Sequence, residues 1–432
     1  MTKIPPQPWM EEPPTRALLN ALGQAGITAR FVGGCVRDAL LGRPAADVAD
    51  IDLATPSRPE EIIDALAKAG IKTVPTGIAP GTVTAVVNSQ STSSGLARHF
   101  EITTLRRDVE TDGRRARVAF DADWAADAAR RDFTINAIYL DPDGTVHDPV
   151  GGLADLAAHR VRFVGEAATR IAEDVLRVLR YYRFEARFGS SPGNARGDPA
   201  ARAACRAAVP LLPKLSAERV AQELFRLLSV ANPVPALRMM EEDDVLPAIL
   251  PEALGRGATQ FDRLARLIAL EPQPDKLRRL AALVAVDADG AAGIAERLRL
   301  SNAWRDRLVG MAPPWPDEFD PEPAGDARSR RRALYRLGAA RFRDLALLIA
   351  AEGGIDDGRL GELLAFAATA APPRFPLAGR DVTACGIPPG PRIGQLLADV
   401  RCWWEAGDFA ADRAACLEKL AGLAAAKPDR PQ

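Results

Sequence analysis

The spacing of apolar positions changes character along this chain, and the change falls near Ala167. Before it, short β-branched or alternating runs at residues 28–32, around Asp50–Asp52, and at 71–74, 82–87 and 99–105 predict strands. Between them lie helical patterns. Leu18, Leu19 and Leu22 share one face of a helix expected over 14–26, and residues 36–41 read as a second. Ser57 with Glu60 three residues on forms a capping box that opens a third, running to about Gly70. Asp143-Gly144 predicts a hairpin turn between 137–140 and 146–148. Residues 109–129 are rich in Asp, Gly and Arg with little periodicity, and are expected to be a mobile loop. Beyond Ala167 alanine, leucine and arginine dominate and β-branched runs vanish, so the remainder is expected to be helical throughout. Breaks at 189–198, 271–275, 313–326 and 371–376 mark its joints. The pattern predicts an α/β (α+β) head followed by all-α domains.

Length and composition narrow this picture. At 432 residues the chain exceeds one ordinary core, so several domains are expected. A hydrophobic content of 47% with 26% charged residues is that of a soluble globular protein. A net charge of −1 argues against a uniformly basic nucleic-acid binder, leaving cations gathered on one face as the alternative. The five cysteines (35, 205, 385, 402 and 416) contain no Cys-x-x-Cys pair, so neither a zinc site nor a disulfide framework is indicated. The first residues lack the apolar core of a signal peptide, and charges interrupt every long apolar run. A cytoplasmic protein without a membrane span is expected.

The candidate chemistry begins at Phe31-Val-Gly-Gly-Cys-Val-Arg-Asp38, which reads as a strand turning through Gly33-Gly34 into a helix. A glycine pair there lets backbone N–H groups approach a phosphate, helped by the positive end of the helix. Arg37, in the first turn, can reach the same anion. Asp50 and Asp52 follow on a strand, where residues i and i+2 share a face about 7 Å apart. Paired carboxylates of that kind suit hard cations such as Mg²⁺ that bridge to phosphates. Each half alone is common: a Gly-Gly turn and an exposed Asp-x-Asp are usually only that. Their order and proximity carry the signal.

The run Gly-Gly-x-Val-Arg-Asp, then Leu-Leu-Gly-Arg, then Asp-x-Asp-Leu-Ala-Thr resembles the class II nucleotidyltransferases, the CCA-adding enzymes of tRNA and bacterial poly(A) polymerases. Later motifs extend the likeness. Arg130-Arg131-Asp132-Phe-Thr-Ile-Asn-Ala is close to a family motif whose second arginine contacts the nucleotide, although Asp132 read alone is equally a helix N-cap. In the segment 173–184, Asp174, Arg177, Arg180 and Arg183 are spaced three apart, which places neighbours together on a helix. A salt-bridged exposed face is the usual meaning of such spacing. The apolar Val175, Leu176, Val178, Leu179 and Phe184 argue for burial instead, and three arginines against few acids then call for an anionic partner. A carboxylate beside a guanidinium complements the amine and ring nitrogen that cytosine and adenine both present, and mismatches uracil and guanine. The segment resembles the family's Glu-Asp-x-x-Arg motif, in which these two residues read the incoming base. By the same likeness Arg180 and Arg183 hold the nucleotide.

Glu101, on the strand at 99–105, is a candidate third carboxylate for activating a hydroxyl, or simply a strand-edge acid. Ser216-Ala-Glu218-Arg219 with Glu223 resembles a helix-stabilising family motif. The basic run at 328–343 is either a solvated helical face or a contact for RNA backbone. The resemblance implies a nucleotidyltransferase head at 1–158, a base-reading helical neck at 159–230, a body at 231–320 and a tRNA-binding tail at 321–432. It implies addition of C, C and A to the tRNA 3′ end from CTP and ATP. Asp50, Asp52 and Glu101 would be catalytic, with Mg²⁺ on Asp50 and Asp52. Gly33, Gly34, Arg37, Arg131, Asp174, Arg177, Arg180 and Arg183 would bind nucleotide. No obligate protein partner is implied. The alternatives are a poly(A), A-only or CC-only enzyme on the same scaffold, and a non-catalytic RNA-binding relative. Thr76-Gly-Ile-Ala-Pro-Gly-Thr-Val favours CCA addition, with Pro80 where the family carries histidine.

Overall fold

The structure is a computed structural model that describes residues 2–44, 51–75, 81–87, 97–112, 115–120, 122–189, 197–253, 259–313 and 327–425. The chain divides into two compact units, 1–254 and 255–432.

The first unit is built on a seven-stranded sheet. In chain order its strands are β1 (Arg30–Val32), β2 (Ile51–Thr55), β3 (Lys72–Pro75), β4 (Thr82–Val87), β5 (Arg98–Thr104), β8 (Tyr139–Leu140) and β9 (Val146–His147). Their spatial order is β3-β4-β5-β2-β1-β8-β9, with only β2 and β5 parallel. The alternation predicted from sequence decides which face is buried. Phe100 and Ile102 on β5 point inward beside Ile51 and Leu53 on β2, while Asp52 and Glu101 point to the other face. Helices α1 (Pro8–Glu11), α2 (Pro13–Gln24), α3 (Gly34–Leu40) and α4 (Pro59–Lys68) accompany the first strands. The fully buried Trp9 sits edge-on to Phe31 of β1, which anchors the N-terminal segment. The cap of α4 is one residue later than expected: Glu61, rather than Glu60, reaches back 2.8 Å to the Arg58 N–H, and Pro59 takes the first helical position. The Asp143-Gly144 turn forms as predicted, with the Gly144 N–H on the Asp141 carbonyl at 2.9 Å.

Residues 109–129 are not a loop. They complete an antiparallel hairpin of β6 (Arg106–Asp112) and β7 (Arg115–Phe120), followed by α5 (Trp124–Ala129). A two-stranded ribbon draws its order from backbone pairing, so it can form from polar residues that show no apolar period.

After α6 (Gly152–Ala157) the unit becomes helical: α7 (Ala167–Glu173), α8 (Arg177–Phe188), α9 (Pro199–Ala208), α10 (Ala217–Leu228), α11 (Val234–Glu242) and α12 (Val245–Ile249). Helix α8 is the centre of this part. Tyr181 packs on Phe133 and Phe163, and Phe184 packs on Phe133 and on Phe188 of its own helix. Its Tyr182 hydroxyl donates to the buried Asp243, which also accepts from Arg202 and Arg206 of α9.

The second unit is entirely helical among its described residues: α13 (Thr259–Leu270), α14 (Lys276–Val284), α15 (Ala288–Arg297), α16 (Asn302–Gly310), α17 (Ala327–Ala351), α18 (Asp357–Thr369), α19 (Gly379–Ala384), α20 (Pro391–Ala406) and α21 (Arg413–Ala425). Helix α17 is broken at Gly338, whose φ of 75° belongs to the left-handed region. Its basic run folds onto this unit's own acceptors. Arg336 meets Glu405 at 2.7 Å, Arg331 meets Asp408, and Arg341 donates to the Gly310 carbonyl. No helix among the described residues is long and apolar enough to cross a membrane.

Candidate active site

The acidic corner follows from one register. The parallel pairing of β2 with β5 sets Asp52 directly opposite Glu101, and the antiparallel pairing with β1 sets Asp52 opposite Val32, the last residue before the glycine turn. Adjacent strands lie about 5 Å apart, so the two carboxylates rise side by side from one face. Gly33 has φ 79°, and a Cβ there would lie 3.5 Å from the Asp52 Oδ2. The turn backbone and the carboxylate therefore share one corner, and glycine is required by conformation. Cys35, the second residue of α3, is buried behind them. Burial, then the neighbouring Asp52 charge, pushes its thiol up to about 12. Asp50, the second member of the expected pair, lies outside the described residues, as do 76–80 with Pro80.

Arg37 is only 5% exposed. Its guanidinium binds Asp38 at 3.0 Å and the Asn136 amide oxygen at 2.6 Å, and it stacks 4.1 Å over Phe188 of α8. Burial lowers its pKa to about 10, which leaves it charged at neutral pH. The Nη2 end comes within 3.7 Å of where a Cβ on Gly34 would lie, so this charge sits directly behind the turn.

Arg131 turns its Nε–Nη2 edge onto the buried Asp127 at 3.2 and 2.9 Å and lies 5.3 Å over the Tyr139 ring. Asp132 is not the cap of a regular helix. The segment Thr134–Asn136 is a single 3₁₀ turn, and Asp132 instead accepts from the Phe133 N–H, the Asn136 amide and Arg180. Burial raises its pKa, but Arg180 and these hydrogen bonds win and hold it at about 2.

The neck motif departs from the single helix that its spacing predicts. Helix α7 stops at Glu173; Asp174 is extended, with φ −153° and ψ 106°, and α8 starts at Arg177. The Asp174 carboxylate bridges this break by accepting from the Leu176 N–H at 3.1 Å, while Arg219 of α10 binds its other oxygen at 2.6 Å. Nor is the positive charge unpaired. Arg177 binds Glu173 and the Arg170 and Arg130 carbonyls, Arg180 binds Asp132, and Arg183 binds Glu223 of α10 at 2.6 Å. Acids from other elements supply what the helix lacks, which a count along the helix does not reveal. Asp174, with its side chain 29% exposed, keeps lone pairs beyond the two these contacts use.

Arg219 and Glu223, expected only to stabilise their helix, thus hold Asp174 and Arg183 from the side. Asp127 and Asn136, which hold Arg131 and Arg37, carried no signal of their own. Asn136 lay within a matched motif, whereas Asp127 lay in a stretch expected to be a loop. The donor set around Asp52 and Glu101 consists of carboxylate oxygens on a partly open face, which is the chemistry a hard divalent cation requires. The described residues alone contain no group of three or more His, Cys, Asp or Glu placed to hold a metal ion.

Comparison with known proteins identifies the family. The model of the poly(A) polymerase head domain matches residues 29–162, and that of a probable RNA- and SrmB-binding site of polymerase A matches 198–254. The human mitochondrial CCA tRNA nucleotidyltransferase 1 is 33% identical over 402 residues, covering 88% of this chain and 83% of that one. A CCA-adding enzyme of Limosilactobacillus fermentum is 32% identical over 395 residues, covering 89% and 90%. The crystal structure of the Bacillus stearothermophilus CCA-adding enzyme in complex with CTP matches with a TM-score of 0.72 and 28% identity, covering 95% of this chain and 98% of that one.

Proposed function

The chain belongs to the family of CCA-adding tRNA nucleotidyltransferases, and we propose that it completes the 3′ end of tRNA, adding C, C and A from CTP and ATP without a nucleic-acid template. In each step the 3′-hydroxyl oxygen of the tRNA bonds to the α-phosphorus of the nucleotide, the bond to the β-phosphate breaks, and pyrophosphate leaves. The backbone of Gly33 and Gly34 faces the triphosphate, with Arg37 behind it and Arg131 beside it. Asp50 and Asp52 would hold a divalent cation, for which Mg²⁺ is the reading their oxygen ligands favour. A cation bound there would supply a lowered pKa for the attacking hydroxyl and screening of the charge that develops on phosphate. Glu101 assists by accepting the hydroxyl proton. Asp174 and Arg177 read the base by complementing the amine and ring nitrogen common to C and A. Arg180 and Arg183, each fixed by an acid, flank them on the nucleotide side. The assignment of 1–158 as head, 159–230 as neck, 231–320 as body and 321–432 as the tRNA-binding tail belongs to the same reading, as does a cytoplasmic location.

The observation that carries this reading is the register of Asp52 against Glu101 beside the Gly33 turn. A module that only bound RNA would have no use for acids gathered beside a phosphate-sized turn. The test is a tRNA transcript lacking its 3′ end, incubated with Mg²⁺ and labelled CTP or ATP, separately and together, with products resolved to single nucleotides. CTP alone adds two residues, and the mixture adds three and stops. Long tails from ATP on any RNA would instead make this a poly(A) polymerase.

A further inference from the structure

We propose that Asp127 is a positioning residue for nucleotide transfer: together with Tyr139 it aims the Arg130 and Arg131 guanidiniums and fixes the turn on which Arg177 rests. The inference deepens the nucleotidyl-transfer reading and depends on it. Asp127 lies near the end of α5 with a side chain 1% exposed, and three donors converge on it. Arg130 binds Oδ1 through Nε at 2.8 Å and Nη2 at 2.6 Å. Arg131 and the Tyr139 hydroxyl, at 2.9 and 2.7 Å, share Oδ2. The Tyr139 hydroxyl accepts in turn from Arg131 Nε at 3.3 Å, so the three side chains form a closed triangle. The ring of Tyr139 is itself fixed edge-on to Trp124, 5.2 Å away, on which Arg30 stacks at 4.1 Å.

Two features mark this corner as more than a structural clasp. One carboxylate faces two guanidiniums, so the cluster carries a net positive charge, and both arginines remain partly exposed. Arg131 spends its Nε–Nη2 edge on Asp127, which leaves the Nη1 end directed away from it. A surplus cation with one face locked and the other open is suited to a polyphosphate anion. The same turn also supports the base-reading motif. The Arg130 carbonyl accepts from Arg177 Nη2 at 3.3 Å, and the Ala129 carbonyl accepts from Arg170 Nη1 at 3.0 Å. A change at Asp127 is therefore felt at both ends of the nucleotide.

The test compares the full-length protein with Asp127→Asn and Tyr139→Phe. CTP binding to the free protein is measured by calorimetry, kcat and KM are measured for CTP, ATP and tRNA, and thermal unfolding is recorded for each variant. Asp127→Asn should weaken CTP binding and raise KM for both nucleotides about tenfold, with KM for tRNA unchanged, because small misplacements of binding groups are costly. Tyr139→Phe keeps the ring and loses only the hydroxyl, so it should shift the same constants in the same direction by a smaller factor, about threefold: a hydrogen bond to a charged group is lost, but the carboxylate still holds both arginines. Should Asp127→Asn fail to fold, Tyr139→Phe decides. Wild-type nucleotide constants in every folded variant would overturn the proposal. A wild-type chain that neither binds CTP nor extends tRNA would overturn the underlying reading instead.

Discussion

Helix α8 carries Arg177, Arg180 and Arg183. In the second unit α14 carries Arg278 and Arg279, and α16 adds Arg307. Both groups meet acids from other elements. Arg278 and Arg307 converge on Asp344 at 2.9 and 2.8 Å, and Arg279 meets Glu271 at 2.5 Å. The difference is access. Asp344 is 2% and Glu271 1% exposed, so both acids are enclosed by the arginines they bind. Asp174, at 29%, stays partly open: the Leu176 N–H and Arg219 each take one of its oxygens and leave lone pairs beyond those two contacts. Arginine–carboxylate pairing alone thus says nothing about function. What separates the two groups is whether the acid stays reachable once its arginine has been satisfied.

Four substitutions test that contrast. Asp52→Asn should have the largest effect, lowering the rate of nucleotide transfer by on the order of 10⁴-fold, or about 5 kcal/mol of barrier, through loss of a metal ligand. Its unfolding midpoint should stay near wild type, because Asp52 sits on the partly open face. Single-turnover incorporation of labelled CTP, alongside a thermal scan, measures both. Asp344→Ala should invert the outcome. It removes the acid that Arg278 and Arg307 share, leaving Arg278 on Glu271 and Arg307 on Asp275, and should destabilise the second unit by about 2–3 kcal/mol in denaturant titration, while CTP binding by folded molecules is unchanged.

Glu185, on another face of α8, supplies the missing third case: a buried acid without an arginine clasp. Its Oε1 has no hydrogen-bond partner among the described residues, and burial pushes its carboxyl up to about 7. The charged groups facing it are Asp198 and Arg202, with the Tyr181 hydroxyl alongside. An acid whose folded pKa lies above its unfolded value binds more protons when folded, so its contribution to stability falls as pH rises through that interval. Glu185→Gln should match wild type near pH 4.5 and exceed it above pH 7 by up to about 3 kcal/mol, read from denaturant midpoints at both pH values. The smallest effect is one of specificity. Asp174→Asn offers a donor where the carboxylate could only accept. It should raise incorporation of UTP relative to CTP about tenfold, or about 1.4 kcal/mol, in a competition assay.

The sheet and the acidic corner were legible in the sequence because they rest on local rules. Alternation at 99–104 set the face of Glu101, and Gly33-Gly34 announced a turn that only glycine permits. The hairpin at 106–120 was not legible, since its order resides in backbone pairing between polar strands. The break at Asp174 was hidden for a related reason. The helical period continues across it, while the break itself is marked by the Asp174 carboxylate, which accepts from the Leu176 N–H and from the distant Arg219. The partners of the arginines escaped notice because they are distant in sequence: Arg180 finds Asp132 and Arg183 finds Glu223.

The burial of Cys35 has a practical consequence for reagents rather than for substrates. A thiol pushed to about 12 and sealed beneath the glycine turn holds almost no thiolate at neutral pH, so alkylating agents and mild oxidants leave it untouched. Cys205 and Cys416 are also buried, whereas Cys385 and Cys402 are exposed, and both lie in the second unit. Maleimide dyes added to the native protein will therefore label only that unit, giving two ready-made attachment points from which its movements can be followed while the chemistry proceeds undisturbed in the other.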